Sequence, residues 1–214
     1  MLSYRLLKNH GGIILIGDYD TLKVLHEVIH DVNERSPLVR DVEGVFIGLA
    51  YDVRKAFERQ REIIEPPKNF EEQGVQYGVK ILWPVLLAQH RILRTSLSFI
   101  DSGKNHQAVT YALEWVIETA LQDDFEDLAP LIKDKWLQLD PQVPSLEEKI
   151  GSRAAQFCAW SKSERKGHIV NLLDSLFSSY PHIYKMRVKA GEVGLISPEQ
   201  YDAWIGQECP DPKV

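Results

Sequence analysis

His26-Glu27-Val28-Ile29-His30 matches the pattern H-E-x-x-H. On a helix, histidines four residues apart project from one face, the spacing by which two imidazoles bind one Zn²⁺, and the glutamate would activate a metal-bound water as general base. Such a site also needs a third ligand. No H-E-x-x-H-x-x-G-x-x-H extension or glutamate-bearing helix signature follows. Asp31 places a charge directly after the second histidine, and His26 falls inside an apolar stripe. The string is therefore expected to be scaffold, with a zinc-dependent hydrolase using Glu27 as base and His26 and His30 as ligands as the alternative.

Tyr51 and Arg54 lie three residues apart on one side of an expected helix, with Asp52 beside them. They suggest an internal polar network or, alternatively, an anion pocket. Asp18, Asp20 and Asp52 could act as paired carboxylates, but Asp20 has a sufficient role as a helix cap. Glycine-rich phosphate loops and G-x-S-x-G are absent. Cys158, in an apolar stretch, reads as a buried small hydrophobe, and Cys209 as exposed near a polar end. The basic cluster Arg54, Lys55, Arg59 and Arg61 is interleaved with glutamates. Lys162, Arg165, Lys166 and His168 form a second basic group, at an expected helix start, where they oppose the helix dipole. Glu114, Glu118, Asp123, Asp124, Glu126 and Asp127 form an acidic region that could receive a basic partner.

The elements that must position these groups read as follows. Strands at Tyr4–Leu7 and Ile13–Ile16 flank a Gly-Gly turn. The first helix carries Leu22, Leu25, Ile29 and Val32 at helical spacing and stops near Ser36-Pro37. A second is expected from about Val42 to Ile63, with Val42, Phe46, Leu49, Val53 and Phe57 on its buried face. A third strand covers Val75–Trp83, and Pro84 opens the next helix. Further helices are expected at about 105–122 and 129–139. Three capping-box patterns announce more: Ser145 with Glu148, Ser161 with Glu164, and Ser197 with Gln200. The fold class is therefore α+β and predominantly helical, with a small N-terminal antiparallel sheet packed by helices and an all-helical C-terminal part. Asp140-Pro141-Gln142-Val143-Pro144-Ser145 is the linker candidate, dividing an α+β domain, 1–139, from a helical extension, 145–214. Five tryptophans, at 83, 115, 136, 160 and 204, read as core anchors.

The strings Gly17-Asp18-Tyr19-Asp20 with Leu22, Tyr51-Asp52-Val53-Arg54-Lys55-Ala56, and Ile81-Leu82-Trp83-Pro84 together resemble an uncharacterised bacterial family of hypothetical proteins, over about residues 1–125. The resemblance implies that the Gly-Asp-Tyr turn and the Tyr-Asp-x-Arg helix belong to one scaffold. It implies no reaction.

The 214 residues, 44% hydrophobic and 26% charged, suit an ordinary globular chain. A net charge of -6 disfavours nucleic acid as a partner. No stretch approaches the roughly 18–20 apolar residues that cross a bilayer, and the N-terminus lacks the pattern of a secretory signal. Two cysteines without C-x-x-C argue against a disulfide framework and for a reducing compartment. A cytoplasmic, non-enzymatic interaction or accessory protein is expected, with no cofactor (Zn²⁺ in the alternative) and with a protein partner or self-association.

Overall fold

β-Branched residues favour extended backbone. In the computed structural model, which describes residues 1–66, 74–143 and 145–207, Ile13, Ile14 and Ile16 form the core of the central strand β2 (Gly12–Gly17). It pairs antiparallel with β1 (Ser3–Leu6) on one side and with β4 (Gln76–Leu82) on the other, so that Arg5, Ile14 and Lys80 share a row. Strand β3 (Glu62–Ile64) completes an antiparallel sheet of order β1-β2-β4-β3. The period-2 alternation sends Ile13, Leu15, Val79 and Ile81 into the main core, while Leu7, Ile14 and Ile16 form a small cluster with Ile64 on the other face. On that second face a salt bridge joins Arg5 to Glu62. Gly12 has φ +145°, and a Cβ there would stand 2.0 Å from the Ile81 carbonyl oxygen. Only glycine fits.

Helix α1 (Tyr19–Arg35) starts where the Asp18 carboxylate accepts the Thr21 N–H at 2.8 Å. Asp18 is thus the cap, and Asp20 sits in the first turn instead. Helix α2 (Val45–Phe57) is shorter than the helix expected over 42–63. Its stop is a left-handed residue, Arg59 at φ +63°. The Arg59 N–H donates to Ala56 O and the Gln60 N–H to Lys55 O at 2.8 Å, the paired closure that glycine usually makes. The chain is thereby released into β3, a strand missed in the sequence because arginine gives no sign of such a turn.

Then follow α3 (Trp83–Ser96, Pro84 in its first turn), α4 (Lys104–Phe125), α5 (Ala129–Gln138), α6 (Ser145–Ala159), α7 (Lys162–Ser175), α8 (Tyr180–Lys189) and α9 (Pro198–Asp202). Both partners of the capping boxes Ser161/Glu164 and Ser197/Gln200 engage, whereas the Ser145 side chain lies outside the described residues. The fold is mixed α+β and mostly helical, with its antiparallel sheet near the N-terminus and, among the described residues, only helices beyond it. One apolar core runs from Ile13 and Leu86 through Trp136 to Ile150, Phe157 and Leu172.

Several buried polar groups are held by partners that fasten the helices. Asp174 is met by Lys135 Nζ at 2.8 Å and by an Arg187 guanidinium nitrogen at 3.0 Å. Asn171 Oδ1 accepts the Tyr180 hydroxyl at 3.0 Å and the Tyr201 hydroxyl at 3.1 Å, fastening α7, α8 and α9 together. Arg165 is completely buried, not part of an exposed basic group. Cys158 is buried, as its apolar stretch suggests, and Cys209 lies outside the described residues. Trp83 and Trp136 are core anchors, but Trp115 is 58% exposed. Among the described residues no helix is long and apolar enough to cross a membrane.

Candidate functional site

The antiparallel pair α1–α2 forms the cleft of interest. At one end Asn33 Nδ2 donates to the Val42 carbonyl at 3.0 Å, and at the other the His26 ring meets the edge of Phe57 with centroids 5.7 Å apart. Between these fastenings opens a cleft of about 420 Å³ lined by His26, His30, Val42, Glu43, Gly44, Ile47, Gly48, Tyr51 and Arg54. It is of small-molecule size. Two groups of residues read separately from the sequence therefore share one site: His26 and His30 from α1, and Tyr51 and Arg54 from α2.

The two imidazole centroids are 4.5 Å apart, as the four-residue spacing requires. His26 is half-buried, and its Nε2 is enclosed without a hydrogen-bond partner. Burial, reinforced by His30 and Arg54, depresses its pKa below the usual imidazole value, so the ring is neutral near pH 7. Lys55 Nζ stands 4.2 Å and Arg54 Cζ 5.5 Å from the centroid of the Tyr51 ring. Arg54 reaches Glu58 only at 4.0 Å, with both side chains nearly half exposed. That contact is loose, and the guanidinium remains open to another acceptor.

Glu27 does not join the imidazoles at the cleft. It is exposed and lines a different depression of about 290 Å³, together with Val24, Val28, Asp31, Asn105 and His106. There His106 Nε2 and an Arg35 guanidinium nitrogen hold the Asp31 carboxylate at 2.9 and 2.7 Å. Asp52 is also outside the cleft, bound by an Arg61 guanidinium nitrogen at 2.9 Å. The acidic region around α4 is largely occupied from within. Asp124 accepts the Trp83 indole N–H at 2.7 Å and stands 2.8 Å from His10 Nδ1, Asp123 accepts the Tyr4 hydroxyl at 2.5 Å, and Glu118 pairs with Lys133 at 2.8 Å. Among the described residues no group of three or more His, Cys, Asp or Glu side chains is arranged to hold a metal ion.

Five cleft residues were not legible as such: Val42, Glu43, Gly44, Ile47 and Gly48. Val42 precedes the helix and is 56% exposed, although the stripe from Phe46 onward assigned it to the core. The available signal was the pair Gly44 and Gly48, four residues apart, which removes side chains from one face of α2 and leaves space between the helices.

A helix-rich α+β scaffold with an open, mixed-polarity cleft between its first two helices is the class that fold and site define. The chain belongs to the family described as Domain of unknown function (DUF6904), whose model matches residues 2–194. That span extends well past residue 125, where the sequence resemblance stops, and takes in every helix as far as α8. No curated protein and no solved structure matches the chain.

Proposed function

We propose that this is a non-enzymatic binding module and that the α1–α2 cleft is its recognition site. The observation that carries the reading is the partition of the H-E-x-x-H string. Its histidines face the cleft beside Tyr51 and Arg54, while Glu27, which would act as general base in a zinc mechanism, lines another surface. Among the described residues the cleft collects two imidazoles, a phenol and a guanidinium without that base or a third metal ligand, which supports binding better than turnover. The zinc-hydrolase alternative keeps its two histidines, with no third ligand grouped with them among the described residues.

Two measurements test the reading. A photo-crosslinking amino acid placed at Val42, on the cleft rim, should capture a ligand or protein in cells, whereas the same probe at Val193, 92% exposed and outside the cleft, should not. Equal capture at both positions, or none at Val42, would count against the cleft. Elemental analysis of untagged protein gives the second: near-stoichiometric zinc that disappears in His26→Ala would restore the hydrolase.

A further inference from the structure

The charge along the cleft is polarised. Arg54, His26 and His30 gather at one end, since His26 sits against Phe57 and feels the Arg54 charge. Glu43, the one carboxylate among the described lining residues, lies at the other. Glu43 stands just before the helix, and the rise from Val45 to Arg54 alone is about 14 Å, which exceeds a Debye length of about 8 Å in physiological salt. The walls between are apolar or small: Val42, Ile47, Gly44, Gly48 and the face of Tyr51.

We infer that the cleft takes a small organic anion, its carboxylate or phosphate head at the Arg54–His26–His30 end and a short apolar body along Ile47 and Val42. This rests on the cleft being the recognition site and adds the chemistry of the ligand. Three features support an anion. Arg54 has only a loose carboxylate contact at 4.0 Å, and a guanidinium offers a fork of N–H donors matched to carboxylate or phosphate. The His30 ring lines the cleft and offers a donor, or two once protonated. The volume, about 420 Å³, suits a ring-sized molecule and not a protein helix.

The test uses the full chain, ¹⁵N-labelled, with benzoate and phenyl phosphate as probes and benzamide as the neutral isostere of benzoate. The imidazole ¹⁵N resonances of His26 and His30 should shift saturably with one or both anions, and the tighter of the two identifies the head group. Arg54→Gln should weaken binding at least tenfold, and Arg54→Lys less than Gln. Because Arg54 is a half-exposed side chain, both variants should keep the wild-type circular dichroism and Tm. Benzamide binding as tightly as benzoate would overturn the anionic class while leaving the cleft reading intact. So would unchanged affinity in Arg54→Gln, or no saturable shift with any probe while Val42 still crosslinks. Loss of the Val42 crosslink would instead sink the reading beneath it. A response to Zn²⁺ alone would also overturn the inference, in favour of a two-histidine metal site.

Discussion

Replacing Arg165 with methionine should destabilise this protein by about 3–5 kcal/mol. The residue is 0% exposed, and its guanidinium donates from Nε to Phe157 O at 3.1 Å, from Nη2 to Cys158 O at 3.0 Å and from Nη1 to Asn9 O at 3.3 Å. Phe157 and Cys158 lie in the last turn of α6, where carbonyls have no helical partner and the dipole is negative. Asn9 lies in the turn between β1 and β2, so one side chain ties the start of α7 to the end of α6 and to the sheet. Burial lowers the guanidinium pKa, yet arginine starts so high that it stays charged.

Two effects oppose each other in the substitution. A hydrogen bond to a charged group contributes about 1.5–3 kcal/mol, and three are lost, two of them to carbonyls of the buried residues Phe157 and Cys158. Against this, the variant no longer has to desolvate a charge, which costs several kcal/mol. Methionine keeps the aliphatic stem and most of the contact with the Phe157 ring, 5.2 Å from Cζ, so packing changes little. The net loss translates to a Tm lower by roughly 6–20 °C, at about 2–4 °C per kcal/mol for a chain of this size. Urea titration followed by tryptophan fluorescence and far-UV circular dichroism measures it. Arg165→Lys should fall between, because an ammonium cannot span all three carbonyls. A methionine variant as stable as the wild type would refute the reasoning, by showing that desolvation outweighs the three bonds.

Other perturbations have equally definite signs. Gly12→Ala should cost several kcal/mol or prevent folding, because the new Cβ meets the Ile81 carbonyl at 2.0 Å. By contrast, Gly167→Ala, in the exposed face of α7 with nothing within 4 Å of its Cβ, should stabilise by about 0.5–1 kcal/mol; both are read from urea midpoints. His90, fully enclosed with its ring 5.0 Å from Trp136, is pushed down by burial to a pKa of about 3. Glu114 stands 3.6 Å from its Nε2, too far for a hydrogen bond, and burial prevails. With the folded pKa below an unfolded value near 6.5, this stability is complete above about pH 6.5 and lost as pH falls toward about 3. The slope is up to about 1.4 kcal/mol per pH unit. Unfolding measured at neutral pH and at two mildly acidic values should therefore show a shallower acid dependence in His90→Gln, and an unchanged slope would contradict it.

What could be read from the sequence follows the range of the forces involved. Capping boxes at Ser161 and Ser197 and the proline start of α3 act over three or four residues, and each appears where its pattern stands. The hairpin of β1 and β2 was legible for the same reason. Long-range partners were not. Asp124 reads as one charge in an acidic run until Trp83 and His10, 41 and 114 residues away, are folded against it. Arg165 reads as a member of a basic group until the end of α6 closes over it. Arg59 in a left-handed conformation hides the stop of α2, since that geometry is normally announced by glycine or asparagine. Trp115, assigned to the core by its type alone, lies on the exposed side of α4, whose buried face is Val109, Leu113, Val116 and Ile117.

The H-E-x-x-H string shows the same division within five residues. Helical spacing alone brings His26 and His30 together, and their rings stand 4.5 Å apart for that reason. Nothing local decides what faces them. A third protein ligand would have to come from another element, and α2 supplies Tyr51, Arg54 and the glycine pair Gly44 and Gly48 instead. A guanidinium beside two imidazoles disfavours a divalent cation by like-charge repulsion and favours an anion by the same Coulomb term. The element packed against α1 therefore inverts the charge of the ligand suggested by the string, from a metal ion to an anion. In Arg54→Glu, a change at a half-exposed position, the repulsion becomes attraction and the new carboxylate joins the two histidines. Zn²⁺ affinity, measured by calorimetry, should rise at least tenfold over wild type, and an unchanged affinity would show that Arg54 does not set the charge of the cleft.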